Sequence, residues 1–591
     1  MRVLGYAISL ALAGVVTGCG GGGGGGGGGG FFPVVPSAPA PAPAPSPSAP
    51  PVADTTRPTV LAFVPAAGND VPRTTEISAT FSEGLRASTV TDSNVQISRS
   101  GAAVDGVLSY DATLHKVSFA PAQTLDLLAT YTVTARTGLQ DLAGNGLAAE
   151  RSWSFRTADG VWETPRQLDA ERTAVSGNPV TAQDSQGNIV VVWSSQASSG
   201  WYEIRSATRT ESGAWGGFRT LSVPGNRNAL LPQVGFDRQG GGLAIWSQFD
   251  GSGIEIWSSR FLKDGGWQTP VRLDSGLDVG DASLAVGADG NGFAVWAKQV
   301  APYGNPDAWA ARFTVEGGWQ APVRLGSSAN SSFYDKVEQP QVAIDAAGNA
   351  YALWVQRTSD APVWAARYEL GTGWQPAVSL GATRLGDPFA PRLAISGSGQ
   401  VMALWNSFVY AGGPYRFDLW WSTLGGTGGT WTTPALLETD DSGNALRQVL
   451  VADSTGSFHA VWQQYLSDYR SDLLYRRYTP GSGWSTATTV STTNGTYWQN
   501  RMPSLVADRN GHLMLMWGAY QSGYGGDQEG TFARRYVSGE GWQATRRVGA
   551  AGASAAMFTS LAIRPNGTIA ASWMEPSELR SDGPVSASVF R

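Results

Sequence analysis

The sequence has few of the residues from which most metal and redox sites are built. Cys19 is the single cysteine among 591 residues, which excludes a disulfide framework and a cysteine-rich zinc or iron–sulfur site. The three histidines, His115, His459 and His512, form neither an HExxH motif nor a cluster. Charged residues make up only 15% and the net charge is −6, so nothing indicates binding to a polyanion. We therefore predict no cofactor, no metal site and no nucleic-acid partner.

Glycine and tryptophan are the residues present in excess. The chain has 76 glycines and 24 tryptophans. Many glycines and aromatic residues with few charges are typical of a large β-protein with many turns. The length predicts more than one domain.

The N-terminus has the pattern of a targeting segment. Arg2 precedes an apolar run that is too short to span a bilayer comfortably and ends at Val16-Thr17-Gly18-Cys19. These four residues resemble the lipobox of bacterial lipoproteins. The resemblance implies a signal peptide over residues 1–18 and lipid attachment at Cys19. Because Gly20 rather than Asp follows the cysteine, the resemblance also implies an outer-membrane lipoprotein of a bacterial envelope, either periplasmic or surface-exposed. The alternative is a plain secretory signal with a chance cysteine.

Residues 19–53 read as a tether. Eleven glycines from Gly20 to Gly30 form a flexible coil, and the Pro/Ala/Ser-rich stretch that follows favours extended polyproline II. We expect this segment to hold the folded domains away from the membrane.

Residues 54–157 alternate strand patterns with turn signals, as in a β-sandwich. The stretches DTTRPTVLAFVPAAGNDVP, ISATFSEGL, DLAGNGLA and WSFRT resemble the bacterial Ig-like domain of S-layer and other surface proteins. The resemblance implies a spacer or adhesion module without an active site. Asp141 and Asn145 are interpreted as turn residues, and the alternative is a cation site near Glu83.

Residues 160–591 repeat with a period near 54 residues and four strands, A to D, per period, which is the size of one propeller blade. One tryptophan marks the end of each B strand and is expected to be structural: Trp193, Trp246, Trp296, Trp354, Trp405, Trp462, Trp517 and Trp573. A second precedes each D strand: Trp162, Trp215, Trp267, Trp319, Trp374, Trp431, Trp484 and Trp542.

The order of the strands predicts a closed ring. The repeat opens with a lone D strand, Trp162–Leu168, and closes with a C strand, Val585–Arg591. Eight complete blades form only if the first D strand joins the last blade, and this velcro closure also removes the free sheet edges. The predicted fold is thus all-β, an Ig-like β-sandwich followed by an eight-bladed, four-stranded β-propeller.

The repeat resembles NHL-type repeats in its A–B half and, loosely, sialidase-like propellers. The Asp-box of sialidases, SxDxGxTW, is absent from every unit. The Asp-x-x-Gly-Asn turn lies instead between strands A and B, where we expect it to be structural.

The B–C and D–A loops vary most between repeats, and ligand sites are usually found in variable loops on a rigid frame. Aromatic residues in these loops are suited to bind a sugar face or a protein partner. The alternative is that they cap the propeller and pack on each other. The candidate ligand-binding residues are Trp201, Tyr303, Tyr334, Tyr410, Tyr415, Tyr469, Trp498 and Tyr524.

We interpret the chain as a lipid-anchored binding or structural protein whose loop face binds a glycan or protein ligand. One alternative is a carbohydrate-active enzyme, a glycoside hydrolase or lyase, because the same loops hold carboxylates such as Asp307, Asp418 and Glu575. No pair of them is selected by the sequence, so no catalytic residue is predicted. A further alternative is a scaffold for envelope assembly. The sequence does not give the oligomeric state.

Overall fold

A computed structural model gives the fold as all-β with one 3-10 helix, Ala87–Thr89, in the part of the chain it describes. The described residues are 53–169, 176–211, 213–225, 227–249, 251–276, 278–300, 304–326, 336–356, 363–381, 387–409, 416–425, 429–438, 443–467, 470–491, 498–521, 529–550, 555–575 and 583–591. Within them, no helix has the length and apolar character needed to cross a membrane. Residues Thr55–Arg591 form one compact unit. The predicted signal peptide, Cys19 and almost all of the predicted tether lie outside the described residues.

The Ig-like domain is a sandwich of two sheets. The first sheet has the order Val60–Val64, Ile77–Phe81, Lys116–Pro121 and Gly106–Asp111, and the second has the order Gly68–Val71, Arg151–Thr157, Thr130–Ala135, Val95–Arg99 and Ala102–Ala103. Its core contains Phe81, Tyr131, Trp153 and Phe155, all buried, because inward-facing residues alternate along each strand. Phe63 stacks on Trp153 with 4.8 Å between the ring centroids.

The rest of the described chain forms the eight predicted blades, which confirms the fold class. In each blade, strands A, B and C are neighbours in that order, and A strands of consecutive blades contact each other around the ring. The A strands are Ser176–Gln183, Ala229–Phe236, Asp278–Val286, Val337–Ile344, Asp387–Ile395, Ala445–Ala452, Trp498–Ala507 and Phe558–Ile563. The B strands are Ile189–Gln196, Gly242–Phe249, Gly292–Gln299, Ala350–Gln356, Val401–Val409, Phe458–Ser467, Leu513–Gln521 and Ile569–Met574. The C strands are Tyr202–Arg209, Ile254–Leu262, Asp307–Thr314, Val363–Glu369, Arg416–Leu424, Arg470–Thr479, Gly530–Val537 and Val585–Phe590.

The D strands are shorter than the sequence suggested. In five blades the D segment is split into two short strands: Gly266–Trp267 and Val271–Ser275, Gly318–Trp319 and Val323–Gly326, Gly373–Trp374 and Val378–Ser379, Gly483–Trp484 and Thr488–Thr489, and Gly541–Trp542 and Arg546–Arg547. The other blades keep one, at Arg219–Thr220, Ala435–Leu436 and Arg166–Gln167. Proline in motifs such as GWQTP and TWTTP explains part of the break, since proline cannot donate a ladder hydrogen bond.

The eight B-strand tryptophans are structural, as expected. Each is at most 2% exposed. Six of the indole Nε1–H groups donate to a nearby side chain, for example Trp573 to Glu575 at 2.7 Å and Trp517 to Asn500 at 2.9 Å. Each ring therefore fills the space between blades, while the Trp354 Nε1 atom is buried without a hydrogen-bond partner among the described residues.

The ring closes through the predicted velcro contact. Arg166–Gln167 pairs antiparallel with Val585–Phe590, with Arg166 opposite Ala587. Glu163 N–H donates to the Val589 carbonyl at 2.8 Å, and the Trp162 and Phe590 rings lie 5.4 Å apart. The last C strand is thus an internal strand of blade 8, buried on all six residues.

In five of the eight blades, the A–B turn is held by an aspartate that begins it. In blade 4, Asp345 Oδ1 accepts the backbone N–H groups of Ala347 and Asn349, both at 2.9 Å. Asp184, Asp237, Asp453 and Asp508 accept the equivalent pairs. A glycine at φ 75–93° completes the turn in all eight blades, a conformation that side-chain-bearing residues rarely adopt. The turns are therefore structural.

The Ig-like domain packs on the face of the propeller that carries these turns. Asp126, which is 1% exposed, accepts from Arg509 Nη2 at 2.6 Å and pairs with Arg99 within its own domain. Leu127 N–H donates to the Asn566 carbonyl at 2.9 Å, and the Leu127 side chain packs among residues of blades 7 and 8. This contact leaves the opposite face, which carries the B–C and D–A loops, uncovered by the Ig-like domain.

Candidate binding face

The loop-rich face lies where the A strands begin and the B strands end. Of the eight candidate aromatic residues, the structure describes the side chain of Trp201 alone, which is half-buried, and its carbonyl accepts from Ala197 N–H in the B–C turn. Trp498 begins the A strand of blade 7, and its side chain lies outside the described part of the structure. Tyr303, Tyr334, Tyr410, Tyr415, Tyr469 and Tyr524 lie outside the described residues. Their role as ligand contacts stays a prediction.

A β-bulge interrupts seven of the A strands near this face. In six of them one residue adopts a positive φ of 48–54°: Leu231, Asp281, Gln339, Ala390, Arg447 and Met502. Proline follows the positive-φ residue in four of these, at Pro232, Pro340, Pro391 and Pro503, and bulges are among the few strand positions that tolerate it. Bulges with strained residues are common beside functional sites.

Blades 6 and 7 bring two arginines and two tyrosines together at this face. We call Arg447, Arg501, Tyr465 and Tyr520 the arginine–tyrosine surface. The Arg501 guanidinium lies 4.6 Å from the Tyr520 ring centroid and donates to Gln499 Oε1 at 2.9 Å. Burial lowers the pKa of Arg501, and the charge of Arg447 lowers it further, while Tyr465, Tyr520 and Glu529 act in the opposite direction. Arg447 Nη1 is buried without a hydrogen-bond partner among the described residues.

Most of the carboxylates described on this face form a salt bridge or a hydrogen bond with another side chain. Asp307 pairs with Arg324 at 2.8 Å and Asp418 with Arg416 at 2.6 Å. Glu338 pairs with Lys336, Asp472 with Arg470, and Glu575 accepts from the Trp573 indole. Each of these five carboxylates therefore has a protein partner.

Glu438, at the end of the D segment of blade 5, differs from these carboxylates. It is 5% exposed, its Oε2 accepts from Leu419 N–H at 2.7 Å, and its Oε1 has no hydrogen-bond partner among the described residues. Burial raises the pKa of Glu438 to about 7, and the neighbouring charge of Asp418 adds to the rise. In blades 1 and 6 the same position holds Ser222 and Ser491, which accept the equivalent N–H. Glu438 is therefore a structural acceptor that carries an ionisable group.

Replacing Glu438 with Gln is expected to remove a pH dependence of stability. The raised pKa means that the folded state keeps a proton up to about pH 7, whereas the unfolded chain releases it near pH 4.3. The free energy of unfolding therefore falls as the pH rises between these values, by roughly 3 kcal/mol from this group. Urea denaturation at pH 5 and pH 8 measures the effect. If the wild-type protein and Glu438→Gln show the same difference between the two pH values, the prediction is wrong.

The two propeller histidines lie beside the A–B turns of blades 6 and 7. His459 is fully buried, with Nε2 3.1 Å from Asp453 Oδ2 and Nδ1 2.9 Å from the Tyr475 hydroxyl. Burial lowers the pKa of His459. Burial by itself would raise the pKa of Asp453, but the hydrogen bonds from His459 and Thr455 outweigh it and bring the pKa to about 2. His512 Nδ1 accepts from Ser538 N–H at 3.0 Å. Both histidines are placed as packing residues.

An arginine recurs near the end of strand C, and its partner differs between blades. Arg535 Nη2 lies 3.3 Å from Asp508 Oδ2. The guanidinium groups of Arg260 and Arg312 lie over the Phe313 and Tyr368 rings of the following blade, 5.5 and 5.6 Å from the ring centroids. These arginines therefore have structural partners.

In the Ig-like domain, Asp141 holds a turn, as expected. Its Oδ1 accepts from Asn145 N–H and its Oδ2 from Asn145 Nδ2, both at 2.7 Å. Both carboxylate oxygens are therefore engaged within the turn.

Comparison with known proteins agrees with the Ig-like part. Residues 54–157 match the family model of the bacterial Ig-like domain. No curated protein matches the chain significantly.

Solved structures similar to this chain include several glycan-active proteins. A protein of unknown function from Dyadobacter fermentans has 11% identity and a TM-score of 0.35, with 73% of this chain and 98% of the other covered. A polysaccharide lyase described as an ulvan lyase has 10% identity and a TM-score of 0.39, with 72% and 98% covered. An α-L-arabinanase from Penicillium chrysogenum has 12% identity and a TM-score of 0.35, with 61% and 92% covered. At these TM-scores the likeness carries no argument about function.

Proposed function

We propose that this protein is a lipid-anchored binding protein of the bacterial envelope whose loop-rich face binds acidic glycans. The arginine–tyrosine surface carries the proposal. Arg447 and Arg501 are close enough for the charge of one to lower the pKa of the other, and no carboxylate forms a salt bridge with either within the described part of the chain. An anion between them relieves their repulsion.

The chemistry of the four side chains matches a sugar that bears a carboxylate or a sulfate. Arginine binds both groups through paired N–H donors in a fixed plane, which gives geometric selectivity. Tyrosine presents a flat apolar ring to a sugar face and a hydroxyl to its polar edge. Tyr520, at 36% exposed, is accessible to such a ligand.

The placement of the Ig-like domain also favours the loop-rich face as the binding face. It covers part of the turn face at blades 7 and 8, and the chain leads from it toward the N-terminal tether. The loop-rich face is therefore directed away from the domain that joins the propeller to the tether. Binding is favoured over hydrolysis because the described carboxylates of this face are engaged with protein partners.

Replacing both Arg447 and Arg501 with alanine is expected to weaken binding of an acidic oligosaccharide at least tenfold, since each charged hydrogen bond contributes about 1.5–3 kcal/mol. Wild-type binding should also weaken as salt rises, because exposed charges are screened. Isothermal titration calorimetry measures both effects. Arg219→Ala, which removes an exposed arginine from the outer D strand of blade 1, is the matched control and should leave affinity unchanged. Equal affinity in the double variant and the control contradicts the proposal.

The anchor is proposed to be the lipid on Cys19. Three acyl chains hold a protein firmly, whereas one is marginal. Cys19→Ser is expected to leave the chain unprocessed or released from the membrane fraction, as read by mobility on a gel and by fractionation. Normal processing together with normal membrane partition of the variant contradicts the proposed anchor.

A further inference from the structure

A cavity of about 540 Å³ lies between blades 7 and 8, beside the seam that closes the ring. Its walls come from three parts of the chain. The segment after the Ig-like domain contributes Asp159 and Trp162, blade 7 contributes Ala533, Arg535 and Arg546, and the last strand contributes Phe590. The cavity is therefore formed only when the ring is closed.

A small residue of strand C and an irregular D segment lie beside the cavity. Ala533 occupies a C-strand position that is filled by Trp421 in blade 5 and Tyr475 in blade 6. The next D segment begins with an isolated bridge, Trp162 to Phe590, rather than with a two-residue Gly-Trp strand. A cavity of about 480 Å³ lies at the equivalent place between blades 4 and 5, where Ala365 is the small residue and Trp431 also forms an isolated bridge.

The two cavities differ in charge. In the blade 4–5 cavity, Arg367 pairs with Glu369 at 3.0 Å, and the D strand contributes Val378 and Ser379. In the blade 7–8 cavity, the two D-strand positions are Arg546 and Arg547. Arg546 is paired with Ala533 and lies on the same side of the sheet as Arg535, whereas the Arg547 guanidinium lies over Phe532 on the other side, 5.8 Å from the ring centroid. The guanidinium groups of Arg535 and Arg546 therefore line the cavity at the seam.

Arg535 is only partly compensated by its neighbours. It is 5% exposed, and its Nε and Nη1 atoms are buried without a hydrogen-bond partner among the described residues. Its acidic neighbours are Asp508 at 3.3 Å, which also accepts the N–H groups of its own turn, and Asp159 at 3.7 Å. Burial raises the pKa of Asp159, and the charge of Arg535 opposes that rise. Even with Asp159 ionised, Arg535 and Arg546 outnumber the one carboxylate on the cavity wall.

We propose that this cavity binds an oxyanion, namely the carboxylate, sulfate or phosphate group of a ligand no larger than a disaccharide. Its size lies within the usual range of small-molecule sites. Arg546 is exposed and marks the entrance, and Gln543 supplies a neutral hydrogen-bonding group on the wall. Because the ligand contacts both sides of the seam, its binding stabilises the closed ring.

The test uses the full chain carrying Arg447→Ala and Arg501→Ala, so that the loop-rich face does not contribute. Sodium sulfate, sodium phosphate and sodium glucuronate are titrated by calorimetry at constant ionic strength, with glucose as the neutral control. We expect at least one anion to bind at a single site and to raise the melting temperature, whereas glucose does neither. The anion with the highest affinity identifies the preferred group.

A second variant assigns the site. Arg546→Gln should weaken the binding at least tenfold without changing the melting temperature of the free protein, because its side chain is exposed. Arg219→Gln, an exposed arginine of blade 1, should leave the affinity unchanged. Absence of binding by all three anions overturns the proposal. Binding that is equal in Arg546→Gln and Arg219→Gln also overturns it.

Discussion

Deletion of Val585–Arg591 is expected to unfold the propeller as a whole rather than to fray one end. The deleted segment includes the strand that lies between Ile569–Met574 and Arg166–Gln167, so its loss removes the ladder on both sides. Burial of Val585, Val589 and Phe590 together contributes on the order of 5–9 kcal/mol, at roughly 1.5–3 kcal/mol for each side chain. That amount is comparable with the whole stability of a typical domain, about 5–15 kcal/mol. Blade 8 would then lack both its C strand and the attachment of its D strand.

Two smaller changes calibrate this deletion. Phe590→Ala keeps the strand but removes the ring that lies 5.4 Å from Trp162, and is expected to cost about 3–5 kcal/mol. Arg591→Ala keeps the two backbone hydrogen bonds to Val161 but deletes a half-exposed ion pair with Glu163, and should cost less than about 1 kcal/mol. Thermal and urea denaturation of the three proteins give the order. An unchanged midpoint for the seven-residue deletion contradicts velcro closure.

Removal of both arginines that hold Asp126 is expected to weaken the joint between the Ig-like domain and the propeller. Arg99→Ala with Arg509→Ala leaves a carboxylate that is 1% exposed without its cations. An uncompensated buried charge costs about 3–5 kcal/mol. Denaturant unfolding of the double variant should show this loss and, if the domains separate, two transitions in place of one.

The same interface offers a matched control. Arg156 and Glu540 form an exposed pair at 2.8 Å, and the double alanine variant of that pair should lose less than about 1 kcal/mol. Adding Asp126→Asn to Arg99→Ala and Arg509→Ala should recover part of the loss, because the buried charge is then gone. Equal stability of both double variants means that the buried pairs do not hold the joint.

The fold could be predicted from the sequence because its signals are periodic. The tryptophan at the end of each B strand and the Asp-x-x-Gly turn recur in register with the blades, and the lone first D strand leaves one way to close the ring. Each feature answers a local physical need, namely an apolar side chain between blades, a turn with positive φ, and a partner for an unpaired edge.

The candidate site was less predictable because it depends on departures from the repeat. Loop aromatic residues were selected by composition, whereas the arginine–tyrosine surface includes Arg447 and Arg501, which lie within A strands. In four blades, a proline after the positive-φ residue marks the bulge in the sequence. Arg447 is followed by Gln448, so its bulge has no such mark. The docking of Asp126 against Arg509 joins residues 383 positions apart, and no local pattern in the sequence marks that contact.

Binding of the purified full chain to an array of acidic and neutral glycans tests the central proposal most directly. For glycans larger than a disaccharide, we expect binding confined to those that bear uronate or sulfate, weakened by salt and lost in Arg447→Ala with Arg501→Ala, and with no product released. Equal binding of neutral glycans, or binding retained in that double variant, contradicts the proposal, and release of product identifies an enzyme instead.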